Sequence, residues 1–184
     1  GDEYKVMGLA AFGKPNYLDE FHKMLVLESK GTFKLNLDYF LHSSGGMSMT
    51  WEDCEPRIDN AFSEYMVKRL GPAREATEPL TQKHNDIAAS LQTVIEEAYF
   101  HILNHAYKVT GMKALALAGG VAFNSVANGK IFDRTPFEDV YIQSAAGDAG
   151  TALGAASYVY NSKMKKPRDF VMSTSYWGPE YDDR

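Results

Sequence analysis

The sequence has one cysteine, no long apolar run and no excess of positive charge. With Cys54 as the only cysteine among 184 residues, an intramolecular disulfide is impossible, and we expect a protein of the reducing cytoplasm. No apolar run approaches the roughly 20 residues that a transmembrane helix requires, so we expect no membrane span. The net charge of −5 argues against a chain built mainly to bind nucleic acid, which calls for a basic surface.

Familiar catalytic and metal-binding sets are also missing from the sequence. It supports no Ser/His/Asp or Cys/His nucleophile arrangement. His101 and His105 are four residues apart in HILNH, which is the spacing of a helical zinc pair. However, His105 falls near the middle of an apolar stripe, and neither a zinc-protease Glu nor a third ligand is nearby in sequence. We therefore interpret both histidines as residues at the edge of a hydrophobic core.

The composition, 45% hydrophobic and 23% charged, predicts an ordinary globular protein with an α/β fold. Residues 1–76 are predicted to form a glycine-rich segment with a helix and strand insert. Residues 77–165 are predicted to form an α/β nucleotide-binding core, and residues 166–184 a tail that leads toward a missing C-terminal domain. Within the insert, the patterns predict a helix over EFHKMLVLES, a strand over TFKLNLDYF, a loop over HSSGGMSMTW and a helix over RIDNAFSEYMVKRLG.

The second half of the chain alternates helices with strands. Apolar residues recur at three- and four-residue steps over about residues 80–109, which predicts one long amphipathic helix. KALALA is predicted to be a strand buried on both faces, DVYIQ is a second strand, and a helix follows each of them. This order favours a parallel or mixed sheet that is covered by helices.

Both predicted strands end in glycine-rich turns that lead into a helix. Gly119 and Gly120 follow the first strand, and SAAGDAG, which contains Gly147 and Asp148, follows the second. A glycine at such a turn lets a ligand approach the backbone, and the start of a helix offers N–H groups to phosphate oxygens. Because the carboxyl ends of parallel strands share one edge of a sheet, the two turns are candidates for a single nucleotide site.

Asn124 and Asp148 are the side chains at these turns that could act on a ligand. Asn124 can donate and accept hydrogen bonds toward a base or ribose, and Asp148 can ligate a metal. Structural alternatives stay open for both turns. The glycines could serve only close packing of helix on strand, and Asp148 could be an N-cap that contributes about 1 kcal/mol. Two such turns in tandem favour the nucleotide site.

Five ordered blocks of the sequence resemble the O-carbamoyltransferase family, which includes nodulation-factor, cephalosporin and tobramycin carbamoyltransferases. The blocks are EYKVMGLAAFGKP, DIAASLQTVIEEA, LALAGGVAFNSVANGKI, VYIQSAAGDAGTALGAA and YWGPEY, while about residues 18–80 match only loosely. The resemblance implies an actin-like ATPase (ribonuclease H-like) fold, related to the synthase that makes threonylcarbamoyladenosine in tRNA. It implies that this chain is the second lobe of that fold, cut from a larger protein.

The resemblance also implies a reaction and a set of site residues. A separate domain of such proteins makes carbamoyladenylate from carbamoyl phosphate and ATP. The actin-like part then transfers the carbamoyl group to a small-molecule hydroxyl, using a metal, iron in related proteins, that a His pair and an Asp hold. In this sequence Asp148 matches the metal ligand. The residues that the resemblance assigns to the nucleotide are Gly119, Gly120, Val121, Asn124 and Gly147, and Glu3 and Lys5 lie in a segment that resembles one bordering it.

Two parts of the family pattern are missing from this sequence. The metal-binding His pair lies in an HxxxHA-type motif of the first lobe, and that lobe is absent, as is the adenylate-forming domain. We therefore expect no turnover from this chain alone, and at most weak affinity for nucleotide or metal. Two alternatives remain open, namely a lobe of a sugar or acid kinase of the same superfamily and a non-catalytic interaction module.

Overall fold

The computed structural model describes residues 3–43, 45–172, 174–176 and 178–181, which form helices and short sheets. Ser44 of the predicted HSSGGMSMTW loop, Trp177 of the YWGPEY block and residues 182–184 of the predicted tail lie outside them. The α-helices are α1 (Glu3–Ala10), α2 (Leu18–Met24), α3 (Glu64–Leu70), α4 (Gln82–Thr110), α5 (Ser125–Asn128), α6 (Ile131–Arg134) and α7 (Thr151–Ser157). The strands are β1 (Leu25–Leu27), β2 (Phe33–Leu35), β3 (Met49–Glu52), β4 (Glu55–Ile58), β5 (Ala114–Leu117) and β6 (Asp139–Ile142).

Helix α4 is the element on which both hydrophobic clusters are built. Its first half contributes Val94 to a cluster that includes residues of α2, and its second half contributes aromatic residues to a cluster with α5 and α6. The helix begins where the Thr81 N–H donates to His84 Nδ1 at 3.0 Å, and it ends at Gly111, whose φ is +65°. The predicted helix over residues 80–109 is therefore confirmed to within two residues at each end. Among the described residues, no helix combines the length and apolar character needed to cross a bilayer.

Strands β5 and β6 confirm the two strands predicted in the second half of the chain. They pair in parallel, with Ala114 opposite Asp139 and Leu117 opposite Ile142. Leu115, Leu117 and Val140 pack against the cluster formed by α4, α5 and α6. The other face is exposed within the described residues, as the 51% exposure of Tyr141 shows. The prediction that KALALA is buried on both faces is therefore wrong here, because helices pack on one side only.

The fold belongs to the predicted α/β class, but its sheets are smaller than expected. The described strands form three separate two-stranded sheets, and β5–β6 is the parallel one. Of the predicted parallel or mixed sheet covered by helices, the described residues form one parallel pair of strands with helices on one face, and the other two sheets are separate antiparallel pairs. The predicted boundaries near residues 76 and 166 stay predictions.

The insert differs most from its sequence-based prediction. The predicted helix over EFHKMLVLES ends at Met24, because β1 leaves the helix to pair with β2. The predicted helix over RIDNAFSEYMVKRLG begins only at Glu64, where the Ser63 hydroxyl accepts the Met66 N–H at 3.3 Å. The residues before it form β4, which pairs with β3 in the stretch predicted as a loop. The β1–β2 turn has positive φ at Lys30 and Gly31, and the β3–β4 turn at Asp53 and Cys54, so neither has the Asn-Gly or Asp-Gly pair that marks a two-residue hairpin turn most clearly.

The loop after α1 is fixed to α4 by hydrogen bonds between residues that are 70 to 73 positions apart in sequence. The Lys14 N–H and the Asn16 side-chain amide donate to the Asp86 carboxylate at 2.9 and 2.8 Å. One residue further on, the Tyr17 N–H donates to the Ser90 hydroxyl at 2.9 Å. This loop therefore ties the segment between α1 and α2 to α4 through polar contacts as well as apolar packing.

The Asp86 carboxylate is expected to make stability depend on pH in the acid range. The Lys14 N–H and the Gln82 side chain donate to it, and together with Asn16 they outweigh burial and lower the pKa of Asp86. Because the folded-state pKa lies below the unfolded one, this stabilisation is complete above the ordinary carboxyl pKa and is lost as the pH falls toward the lowered value. Urea unfolding between pH 7 and pH 3 should therefore show a smaller loss for Asp86→Asn than for the wild type. Asp169→Asn, with the same charge change in the exposed tail, should follow the wild type, and parallel curves for all three proteins would contradict the prediction.

Candidate functional site

The two glycine-rich turns lie side by side at the carboxyl edge of the β5–β6 sheet. We call residues 119–124 the first corner and residues 145–150 the second corner. The Gly119 N–H donates to the Ala146 carbonyl at 2.7 Å, which joins the corners directly. A Cβ placed on Gly147 would lie 2.9 Å from Cε2 of the Phe123 ring, so the corners are also in side-chain contact. The structure thus brings together the two turns that the sequence separates by about 25 residues.

The glycines of the first corner border open space. A Cβ added to Gly119 or to Gly120 would have no heavy atom within 4 Å among the described residues. Gly119 has a φ of +97°, a backbone conformation that glycine adopts readily and other residues rarely do. This conformation alone is enough to explain why the residue is a glycine. Gly120 has no such φ, and no packing contact requires it to be small. Neither backbone strain nor packing therefore explains why residue 120 is a glycine. The lack of a side chain there would let a ligand approach the backbone closely.

The glycines of the second corner have a different explanation. At Gly147 a side chain would press on the Phe123 ring, and at Gly150 a Cβ would overlap the carbonyl oxygen of Ala145. Both positions are therefore small because of packing. Of the two alternatives that the sequence leaves open, close packing accounts for the second corner, whereas it does not account for Gly120.

The Asn124 side chain is engaged within the protein. Its Oδ1 accepts the Ala127 N–H at 3.1 Å and thereby caps α5. The same Oδ1 accepts from Gln92 Nε2, and Nδ2 donates to Gln92 Oε1, both at 3.1 Å. The amide pair leaves one Nδ2 hydrogen without a partner among the described residues. Asn124 therefore fixes the shape of the first corner and retains one donor for a ligand, and its contact with a nucleotide stays a prediction.

A buried polar network that begins on α4 reaches Asn124 and holds the first corner in place. Gln92 and Glu96 are each only 8% exposed, and Gln92 Nε2 donates to Glu96 Oε1 at 2.9 Å. Lys130 Nζ reaches both Glu96 oxygens at 2.7 and 2.6 Å. Every buried side-chain nitrogen and oxygen of the described residues has a partner, so the network is complete. No motif marks Gln92 and Glu96, and the one signal in the sequence is that they interrupt the apolar face of a long helix at four-residue spacing.

A second hydrogen-bonded pair fixes the same corner from the next turn of α4. The Tyr99 hydroxyl donates to Asn128 Oδ1 at 2.8 Å, and Asn128 Nδ2 donates to the Ala122 carbonyl at 2.7 Å. The backbone of Gly120–Phe123, which forms a 3₁₀ turn, is therefore tied to α4 through side chains at both of its sides. These hydrogen bonds hold the backbone of the first corner in place and leave its open face unoccupied.

Asp148 is exposed, and its carboxylate makes no hydrogen bond to the described residues. It begins the 3₁₀ turn Asp148–Gly150, and only its carbonyl is engaged, by the Thr151 hydroxyl at 2.6 Å. The N-cap alternative is therefore not what the structure shows, because no side chain caps this turn or α7. No group of three or more His, Cys, Asp or Glu side chains within the described ranges could hold a metal ion.

The N-terminal segment lies beside the first corner. Helix α1, which carries Glu3 and Lys5 with both residues exposed, packs along α4. The Ser125 hydroxyl at the start of α5 donates to Met7 Sδ at 3.9 Å. This places the helix that carries Glu3 and Lys5 next to the corner, and a contact of either residue with a nucleotide stays a prediction.

His101 and His105 have structural contacts at the β1–β2 turn. His101 Nε2 lies 2.7 Å from the Glu28 carbonyl and 3.1 Å from the Thr32 carbonyl, and both histidines are half-buried. Because both partners are carbonyl acceptors, Nε2 carries the hydrogen and donates. The two residues lie at the edge of the core, as the sequence predicts.

Comparison with known proteins identifies a family and several relatives. The model of the family described as "Carbamoyltransferase N-terminus" matches residues 1–157, which include both corners. The chain is 40% identical to an uncharacterised protein of Synechocystis, 38% identical to nodulation protein NolNO of Sinorhizobium fredii and 40% identical to nodulation protein NolO of Bradyrhizobium diazoefficiens. Each match covers 97% of this chain but only 28%, 23% and 29% of the respective relative. The chain thus spans about a quarter of the length of these curated relatives.

Proposed function

Because the chain belongs to the carbamoyltransferase N-terminus family, we propose that it is part of an ATP-dependent O-carbamoyltransferase. In this proposal the protein transfers a carbamoyl group from carbamoyladenylate to the hydroxyl of a small-molecule acceptor. The observation that carries the proposal is the open backbone at Gly120, which neither strain nor packing explains. We further propose that the corners belong to an actin-like ATPase lobe. The first lobe and the adenylate-forming domain would come from other parts of the same protein, which we place in the cytoplasm.

The first corner would hold the adenylate part of the donor. The exposed backbone of Gly119, Gly120 and Val121 would lie under it, and the remaining Nδ2 hydrogen of Asn124 would donate to it. Because Gln92 and the α5 cap already fix the Asn124 amide, this donor would be oriented before the ligand arrives, which reduces the ordering that binding requires. Gly147 would contribute to the site indirectly. Because it has no side chain, the Phe123 ring can pack against it, and this ring would form the wall between the two corners.

Transfer of the carbamoyl group needs the donor and the acceptor hydroxyl to be held together. The acceptor oxygen forms a bond to the carbamoyl carbon, the bond from that carbon to the AMP oxygen breaks, and the hydroxyl proton is released. The products are a carbamate ester and AMP. A bound divalent metal would polarise the carbamoyl oxygen as a Lewis acid, and Asp148 fits as one of its ligands because its carboxylate is exposed and unengaged among the described residues.

The identity of the adenine nucleotide that the reaction produces, AMP or ADP, distinguishes this proposal from a kinase. The intact protein that contains this chain should convert ATP to AMP only when carbamoyl phosphate is present, as chromatography of the products would show. ADP with a phosphorylated acceptor would instead identify a kinase, and no turnover with any acceptor would favour a non-catalytic module. The Asp148→Asn variant should slow carbamate ester formation by about 100-fold or more, the scale of removing one stabilising group at a reaction centre. Asp169→Asn, the matched control in the tail, should keep the wild-type rate.

A further inference from the structure

A second cleft lies away from the glycine corners and has not been used so far. It is a shallow, open depression of about 530 Å³ between the β1–β2 turn, the second half of α4 and the end of α6. We call it the basic cleft, and its polar lining consists of Lys30, His101, Asn104, His105, Lys108 and Arg134, with Glu97 as the acid among them. The basic cleft shares no lining residue with either corner.

The basic cleft carries an excess of positive charge that the described residues do not neutralise. Lys30 and Lys108 make no hydrogen bond or ion pair with any described residue, and the Arg134 guanidinium lies over the Phe100 ring at 4.8 Å. Glu97 is the one acid in the lining, and its Oε2 lies 2.6 Å from His22 Nε2, so a single carboxylate faces three cationic side chains. Three exposed cationic residues thus line one cleft in a protein whose net charge is −5. Their mutual repulsion would be relieved by a bound anion.

The β1–β2 turn holds Lys30 at the cleft in a backbone conformation that lysine disfavours. Lys30 and Gly31 have φ values of +60° and +70°, a pair of positions where Asn-Gly is the favoured sequence. His101 fixes the turn through the Glu28 and Thr32 carbonyls, and a Cβ on Gly31 would lie 2.5 Å from that of His105. The turn is thus pinned to α4 with a strained lysine at the rim of the cleft. Strain of this kind often marks a functional position.

We propose that the basic cleft binds a phosphate-bearing small molecule. The Lys30 and Lys108 ammonium groups and the Arg134 guanidinium surround its phosphate, and the guanidinium offers a two-pronged set of donors that matches phosphate oxygens. Stacking on Phe100 limits the rotamers of Arg134 and so holds these donors in place. This site does not depend on the proposed carbamoyl transfer, because none of its residues belongs to the corners.

Calorimetric titration of the intact protein with inorganic pyrophosphate tests the proposal. We expect saturable binding that Lys30→Asn weakens by about 10-fold, the scale of one charged contact, and that Lys30→Asn combined with Lys108→Gln weakens by about 100-fold. Asn is better suited than Lys to the positive φ at residue 30, so the single variant should keep at least the wild-type melting temperature. A loss of affinity in that variant therefore cannot come from misfolding.

Two control variants separate this site from non-specific attraction and from the corners. Lys68→Gln makes the same charge change at an exposed lysine on α3, and it should leave pyrophosphate affinity unchanged. Gly120→Leu, which fills the open face of the first corner, should also leave it unchanged. No saturable binding, or equal affinities in the wild type and the Lys30→Asn variant, would overturn the proposal. Loss of pyrophosphate binding with Gly120→Leu but not with Lys30→Asn would assign the binding to the corner and would likewise overturn it.

Discussion

The Gly13→Ala variant should lose about 3 kcal/mol or more of unfolding free energy, the largest stability effect that we expect from a single methyl group in this protein. A Cβ at residue 13 would overlap the carbonyl oxygen of Asn85 and lie 2.7 Å from the backbone nitrogen of Asp86. Both atoms belong to the backbone of α4, so no side-chain rotation can relieve the contact. The loop would have to move away from α4 and would give up the hydrogen bonds from Lys14 and Tyr17.

Gly8→Ala is the matched control for this prediction. Gly8 lies inside α1, and a Cβ there would have no heavy atom of the described residues within 4 Å. Since alanine favours a helix more than glycine does, this variant should gain about 0.5–1 kcal/mol. Urea denaturation followed by circular dichroism should place the two midpoints on opposite sides of the wild type. A Gly13→Ala midpoint equal to that of the wild type would show that the close approach of this loop to α4 is incorrect.

The long helix and the two strands of the core can be predicted from the sequence because their signals are local. The three- and four-residue spacing of apolar residues marks α4, and short apolar runs between glycine- or proline-containing turns mark β5 and β6. Parallel pairing of β5 with β6 places Gly119 and Ala146 at the same edge of the sheet. The alternation of helices and strands in the sequence already favours this pairing. This part of the site depends on topology, and topology is visible in the order of the elements.

The hairpins of the insert could not be predicted, because their turns lack the usual residues. Asp53 and Cys54 take φ values of +50° and +66°, and Lys30 takes +60°, without the Asn-Gly or Asp-Gly pair that normally marks such turns. Ile58 fits a helical stripe in sequence but lies in β4, opposite Met49. Only the pairing with β3 decides between the two structures, and pairing is not a local property of the sequence.

The roles of single residues at the site also depend on contacts that the sequence does not show. Gln92 and Asn124 form an amide pair across 32 residues, so Asn124 cannot be judged from its own surroundings. The sequence likewise treats all glycines of the two corners alike. The structure separates them, because Gly150 has a backbone oxygen where its side chain would be and Gly120 has open space.

The second large effect is expected at Gly120, where leucine should abolish much of the nucleotide affinity without unfolding the protein. The leucine side chain would project into the space that the adenylate is proposed to fill, and we expect affinity to fall at least about 10-fold, equivalent to about 1.4 kcal/mol. Stability should change by only about 0.5 kcal/mol, because the new Cβ would have no heavy atom of the described residues within 4 Å and the position needs no positive φ. Asn124→Ala is a poorer test, because it also removes the cap of α5 and the partner of Gln92.

Titration of the intact protein with AMP, the adenylate part of the proposed donor, is the most direct measurement of this effect. It should compare the wild type with Gly120→Leu and with Gly45→Leu, a loop variant in which the new Cβ meets only the Leu41 carbonyl oxygen at 3.7 Å. If the first corner holds the adenylate, Gly120→Leu loses at least about 10-fold in affinity while Gly45→Leu binds like the wild type. Equal AMP affinity in all three proteins would contradict the assignment of the open glycine backbone to a nucleotide.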